Sequence, residues 1–176
     1  MKVNRHAISR ILSIFSLFTL LFSLALLSAC GFNLRGSVTE RVQLPPTFLA
    51  GQAGPLQQEL RHYLSLSEAP VVAEQKDAQL VIRLINEEVQ RRVLSVGATG
   101  KVQEYEVHYA ATYDAERPDG KSLIPPETLD QRRSYTFNEA EVLAKDVEQE
   151  RLVQDMRRDV VRQMMRRVQA ALAKSP

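Results

Sequence analysis

The sequence is poor in the residues that carry chemistry. Its 176 residues include one cysteine, no tryptophan and three histidines. A single thiol cannot close an internal disulfide, so stability must come from packing. His6, His62 and His108 stand apart, without HxxxH or HxxE spacing and without cysteine neighbours, so no metal site is expected. No GxSxG, SxxK, Walker A or GxGxxG pattern occurs, and Gly97-Ala98-Thr99-Gly100 is too short for a phosphate loop. The acidic pairs Glu87-Glu88 and Glu104/Glu106 lack a second carboxylate placed across a cleft and read as solvated strand edges. Neither enzymatic activity nor a cofactor is expected.

What the sequence does have is a cysteine in a telling place. Lys2, Arg5 and Arg10 form a basic start without acidic residues, and the seventeen residues from Ile11 to Leu27 are almost entirely apolar. Leu27-Ser28-Ala29 then places small residues before Cys30. A basic region, an apolar run and a small-residue cleavage site describe a secretory signal peptide rather than a stop-transfer anchor, which usually carries charges on its far side. Leu-Ser-Ala-Cys resembles a bacterial lipoprotein signal, which implies that residues 1–29 are removed and Cys30 becomes an acylated N-terminus. A single acyl chain anchors only marginally, so the two or three chains of a lipoprotein make attachment durable. Gly31 stands where an Asp would resemble an inner-membrane retention signal, so the outer membrane is the expected destination, with the domain on its periplasmic side.

Removal of residues 1–29 changes the charge. That segment holds three of the 23 Lys and Arg and none of the 21 Asp and Glu, which leaves 20 basic against 21 acidic residues in residues 30–176. A strongly basic nucleic-acid binder is not indicated. The remaining 147 residues (176 less 29) suit one domain with a real core.

The pattern predicts an α+β two-layer sandwich: about four strands in a mostly antiparallel or mixed sheet, packed by two helices, one of them long and C-terminal. Arg41–Leu44 reads as a short extended piece stopped by Pro45-Pro46. Leu56, Leu60 and Leu64 recur at spacing four, one face of a short helix. Pro70 ends that region, and Val71-Val72 reads as a short strand. Leu80 to about Leu94 is a central strand, and residues 95–100 are a hairpin connection with two glycines available for positive φ. Tyr105, Val107, Tyr109, Ala111 and Tyr113 alternate with Glu104, Glu106, His108, Ala110 and Thr112, the period of a strand with one face on a core. Pro118-Asp119-Gly120 is a turn. Leu129–Phe137 is a further strand, with Arg133, Tyr135 and Phe137 on one face. Asn138 is a good N-cap, followed by Glu139 and Glu141 in the first turn of a helix of some thirty residues, or of two helices in line. Leu143, Val147, Val153, Met156, Val160, Met164 and Val168 form its apolar stripe.

Basic residues are the remaining candidates. Arg158, Arg162 and Arg166 share a stripe of the last helix and, with Asp155 and Asp159 nearby, read first as a solvated face. Arg91-Arg92 with Lys101, and Arg132-Arg133 with Lys145, gather near strand tips and can meet anionic groups there.

Cys30-Gly31-Phe32-Asn33-Leu34-Arg35-Gly36 resembles the opening of the LPS-assembly lipoprotein LptE (rare lipoprotein B) family, whose mature start is typically Cys-Gly-aromatic-X-Leu-Arg. Glu104-Tyr105, and Leu143-Ala144-Lys145-Asp146 with Glu148-Gln149, are similar to that family's pattern, and the order of elements agrees over the whole of residues 30–176. The resemblance implies a non-enzymatic plug inside an LptD-like outer-membrane β-barrel, binding lipopolysaccharide and assisting its delivery to the cell surface. It further implies that Lys145 meets a lipid A phosphate or the barrel. Ala98 stands near the loop position where the family often has a basic residue, and Lys101 is the nearest substitute. Lys101, Arg133 and Lys145 are therefore the expected lipopolysaccharide-binding residues and Cys30 the lipidated one. A stand-alone periplasm-facing lipoprotein that binds or ferries another envelope ligand is the alternative.

Overall fold

The computed structural model describes residues 44–138 and 142–174. The expected lipidation at Cys30, the signal segment, most of the Arg41–Leu44 piece and the first-turn residues Glu139 and Glu141 lie outside the described residues. Four strands, β1 (Thr47–Gly51), β2 (Leu80–Val96), β3 (Val102–Glu116) and β4 (Ser122–Thr136), form one mixed sheet in sequence order. Helices α1 (Pro55–Leu66) and α2 (Val142–Lys174) complete the α+β architecture.

The period-two pattern of β3 decides which way the sheet faces. Val107, Tyr109, Ala111 and Tyr113 are buried, and the core continues through Leu56, Leu60 and Leu64 of α1 and Met156, Val160, Met164 and Val168 of α2. The other face of β3 meets polar neighbours: Thr112 and Thr128 hydroxyls lie 2.8 Å apart, and His108 bonds to Asp130.

Two departures from the sequence pattern concern proline. β1, which the sequence pattern did not mark, begins just after Pro45-Pro46 and runs parallel to β2 with Thr47 opposite Leu80 and Gly51 opposite Leu84. Proline is tolerated before a short edge strand because no ladder N–H is needed there. Pro46 still contributes its carbonyl, which accepts from Gln79 N at 2.7 Å and Leu80 N at 3.1 Å. Val71 joins Thr47 by a single parallel bridge instead of forming a strand. Likewise β4 starts seven residues before Leu129 and runs through Pro125-Pro126. It is the sheet edge, and the register against β3 shifts between Tyr113 and Ala115, next to those prolines.

The turns follow local chemistry. Gly100 (φ 78°) and Gly120 (φ 83°) take the left-handed conformation in the two hairpin turns, while Gly97 does not. Asp119 Oδ1 accepts from Lys121 N at 3.0 Å, closing the second turn. At the end of β1, Gly51 has φ 91°, and a Cβ there would sit 2.1 Å from the Leu84 carbonyl oxygen.

The long helix is continuous for 33 residues, but its apolar stripe packs only from the middle onward. Leu143 is 84% exposed and Val147 about half exposed, whereas Met156, Val160 and Met164 are fully buried. The first turns stand off the sheet and leave a groove of about 490 Å³ between α2 and β4, lined by Tyr135, Val147, Arg151 and Leu152 among others.

Candidate functional site

Two polar arrangements link the sheet to the helices. The first surrounds Glu87 of β2. Gly54 at the N-cap of α1 offers no side chain, and Pro55 follows at the first helical position. Glu87 supplies the missing acceptor from across the sheet: Leu56 N donates to its Oε2 at 3.0 Å. Its Oε1 accepts from Tyr109 Oη at 2.8 Å and from Arg157 Nε of α2 at 2.8 Å. One carboxylate thus joins β2, β3, α1 and α2, and both it and Arg157 are nearly buried, with side chains 13% and 14% exposed. Burial, reinforced by the bond to Glu87, pushes the Tyr109 hydroxyl well above the ordinary tyrosine range. Burial opposes the Arg157 charge, but Glu87 and Tyr109 together hold the guanidinium above its usual value.

This network is where the reading of Glu87-Glu88 as a solvated edge fails for Glu87. Glu87 lies opposite Ala111, and Val89 opposite Tyr109, so both point toward the helices. The signal was available in the sequence: Glu87 is in phase with Val89 and Val93, while Glu88 is out of phase with them.

The second arrangement lies at the end of the sheet near the β2–β3 turn. The Arg91 guanidinium stacks 4.5 Å from the Tyr105 ring centroid. Tyr105 packs against Tyr135 and Phe137, with centroids 5.9 and 5.1 Å apart. Gln149 of α2 ties the group together, since its Oε1 accepts from Arg91 Nη1 at 2.8 Å and Tyr135 Oη at 2.7 Å. A half-exposed cation-aromatic cluster therefore sits beside the groove under the first turns of α2.

The expected ligand residues are spread along this half of the molecule. Lys101 closes the β2–β3 turn, its carbonyl accepting from Gly97 N at 2.7 Å. Arg133, opposite Val107 in the ladder, forms an ion pair with Asp159 of α2. Six residue steps separate its level from Lys101, about 20 Å at the usual rise. Lys145, in the first turns of α2, pairs with Glu148 at 2.7 Å. It lies fourteen residues before Asp159, about 21 Å along the helix. Arg133 therefore stands well apart from Lys101 along the sheet and from Lys145 along the helix. The Arg158 and Arg162 stripe pairs with Asp155 and Asp159 within α2, as a solvated helix face does.

Comparison with known proteins fits this architecture. The family model described as "LptE: Lipopolysaccharide-assembly" matches residues 39–168. The LPS-assembly lipoprotein LptE of Photorhabdus laumondii is 30% identical over 154 residues, covering 85% of this chain and 84% of the relative. That of Pectobacterium atrosepticum is 31% identical over 157 residues, covering 86% and 84%. Among solved structures, an uncharacterized lipoprotein B from Nitrosomonas europaea aligns with TM-score 0.68 and 28% identity, covering 82% of this chain and 94% of that one. The rare lipoprotein B of Shewanella oneidensis aligns with TM-score 0.60 and 30% identity, covering 74% and 95%. Since the family model spans most of the sequence and the sheet and helices match these structures, the chain belongs to the LptE lipopolysaccharide-assembly family.

Proposed function

We propose that this chain is an outer-membrane lipoprotein, acylated at Cys30, that sits as a plug in the lumen of an LptD-like β-barrel and there binds lipopolysaccharide on its way to the outer leaflet. The family match over residues 39–168 is the observation that carries the reading. The surface supports it: both faces of the described unit are dense in paired charges, such as Arg167 with Glu127 at 2.6 Å and Arg83 with Glu116 at 2.7 Å. A polar barrel lumen is matched by such a surface and not by a large apolar patch. In this reading Lys145 and Lys101 meet lipid A phosphates or barrel groups. Arg133, held by Asp159, acts more as a strut.

Charge reversal tests the ligand half of the reading. A charge-assisted hydrogen bond to phosphate contributes about 1.5–3 kcal/mol, so Lys145→Glu is expected to weaken lipopolysaccharide binding about tenfold or more. High salt is expected to weaken the wild type in the same direction. The measurement is titration of the purified protein with lipopolysaccharide, with circular dichroism as the folding control. Unchanged affinity for Lys101→Glu, Arg133→Glu and Lys145→Glu alike would remove these residues from ligand binding.

A further inference from the structure

We propose that the open edge of β2 pairs antiparallel with the same edge of a second copy of this chain, on a two-fold axis at Gln90. β1 covers β2 only from Leu80 to Leu84. Among the described residues, Asn86–Val96 pairs with β3 alone, so its other side presents unpaired backbone groups over eleven residues. Val89 and Val93 on this stretch are 43% and 50% exposed. A long edge of this kind is a template for strand addition unless its side chains forbid it.

The order of charges on the edge decides what can be added. Glu88, Gln90 and Arg92 lie opposite Ala110, His108 and Glu106, on the face away from the helices. Glu87 and Arg91 point the other way and are engaged by Tyr109, Arg157 and Gln149. The register is therefore set by the outer three residues. An antiparallel partner centred on Gln90 places Gln90 on its twin and Glu88 opposite Arg92 twice. Arg92, with a side chain 61% exposed, lies 2.6 Å from Glu106 Oε1. That contact engages one end of a guanidinium that carries five N–H donors, so others can reach the second Glu88. Across the joined sheets the row then alternates in sign: Glu106, Arg92, Glu88 of the second copy. The isologous pair closes on itself. A parallel pair through the same edge would instead bring Glu88 level with Glu88 and Arg92 with Arg92, so the order of charges favours the antiparallel pair.

Cysteine crosslinking tests this on the full chain, expressed and purified without a barrel. Directly opposite residues in an antiparallel pair have Cα atoms about 4.5–5.5 Å apart, within disulfide range. Gln90→Cys is therefore expected to give a covalent dimer under mild oxidation, well above the wild type, whose one thiol is Cys30, and above Ser134→Cys on β4. Adding Glu88→Arg puts Arg on Arg twice and is expected to cut the dimer about tenfold. Combining Glu88→Arg with Arg92→Glu restores the opposite pairing and the crosslink. A Gln90→Cys yield no greater than that of Ser134→Cys would overturn the proposal, including the case in which residues 31–43 of the same chain cover the edge. So would a yield that ignores the charge at position 88.

Discussion

Glu87 and Asp114 show how far a carboxylate's worth depends on its partners. Glu87 accepts three hydrogen bonds, one of them from a nearly buried guanidinium. Removing one partner of such a pair leaves an uncompensated buried charge, which costs about 3–5 kcal/mol. Glu87→Ala is therefore expected to destabilise the protein by about 3 kcal/mol, and the exposed neighbour Glu88→Ala by less than about 0.5. Equal losses in urea unfolding would contradict the network. Asp114 is the opposite case. It is nearly buried, its Oδ1 has no partner and its Oδ2 reaches Arg83 only at 3.4 Å. Burial raises its pKa, against the pull of Arg83, so the folded protein binds that proton more tightly than the unfolded chain. Its contribution is favourable in acid and is lost as pH rises through the folded value. Asp114→Asn, with Arg83 still paired to Glu116, is thus expected to melt at or above the wild-type temperature at neutral pH. The gap should close below about pH 4, where the unfolded-state carboxyl is itself protonated. A variant that melts well below wild type at neutral pH would show that the Arg83 contact outweighs burial.

At the scale of elements, the two halves of α2 do different work. Met164 is fully buried and Leu143 almost fully exposed. Met164→Ala is expected to cost about 2–5 kcal/mol, and Leu143→Ala close to nothing, read as shifts in melting temperature. Tyr109→Ala, losing both its burial and its bond to Glu87, is expected to cost about 3–5 kcal/mol. Gly51→Ala strikes the end of β1, where a Cβ meets the Leu84 carbonyl, and is expected to destabilise more than any exposed substitution. The strong periods were legible before any coordinates: the leucines of α1 at spacing four, the alternation of β3 and the uninterrupted run of α2. Weaker signals were β1, only five residues long, and the first part of β4, where Pro125-Pro126 lie inside an edge strand in which a missing N–H goes unnoticed. The stripe from Leu143 to Val168 was visible as a period. Which part of it would touch the sheet was not, because that depends on where the helix stands off β4. The phase of Glu87 with Val89 and Val93 was readable, but its partner Arg157, seventy positions away, was not.

For the whole molecule, the proposed function joins a small charged domain to a lipid anchor and a barrel. Cys30→Ala is expected to abolish incorporation of labelled palmitate, and label persisting on that variant would remove Cys30 from the anchor. The central claim is the seat in the barrel, and extraction of native membranes in mild detergent followed by affinity capture of this chain tests it most directly. An LptD-like β-barrel is expected in about one-to-one ratio with the chain, resistant to a high-salt wash. Recovery of the chain without any β-barrel protein, from membranes in which the barrel is present, would contradict it and leave a stand-alone lipoprotein.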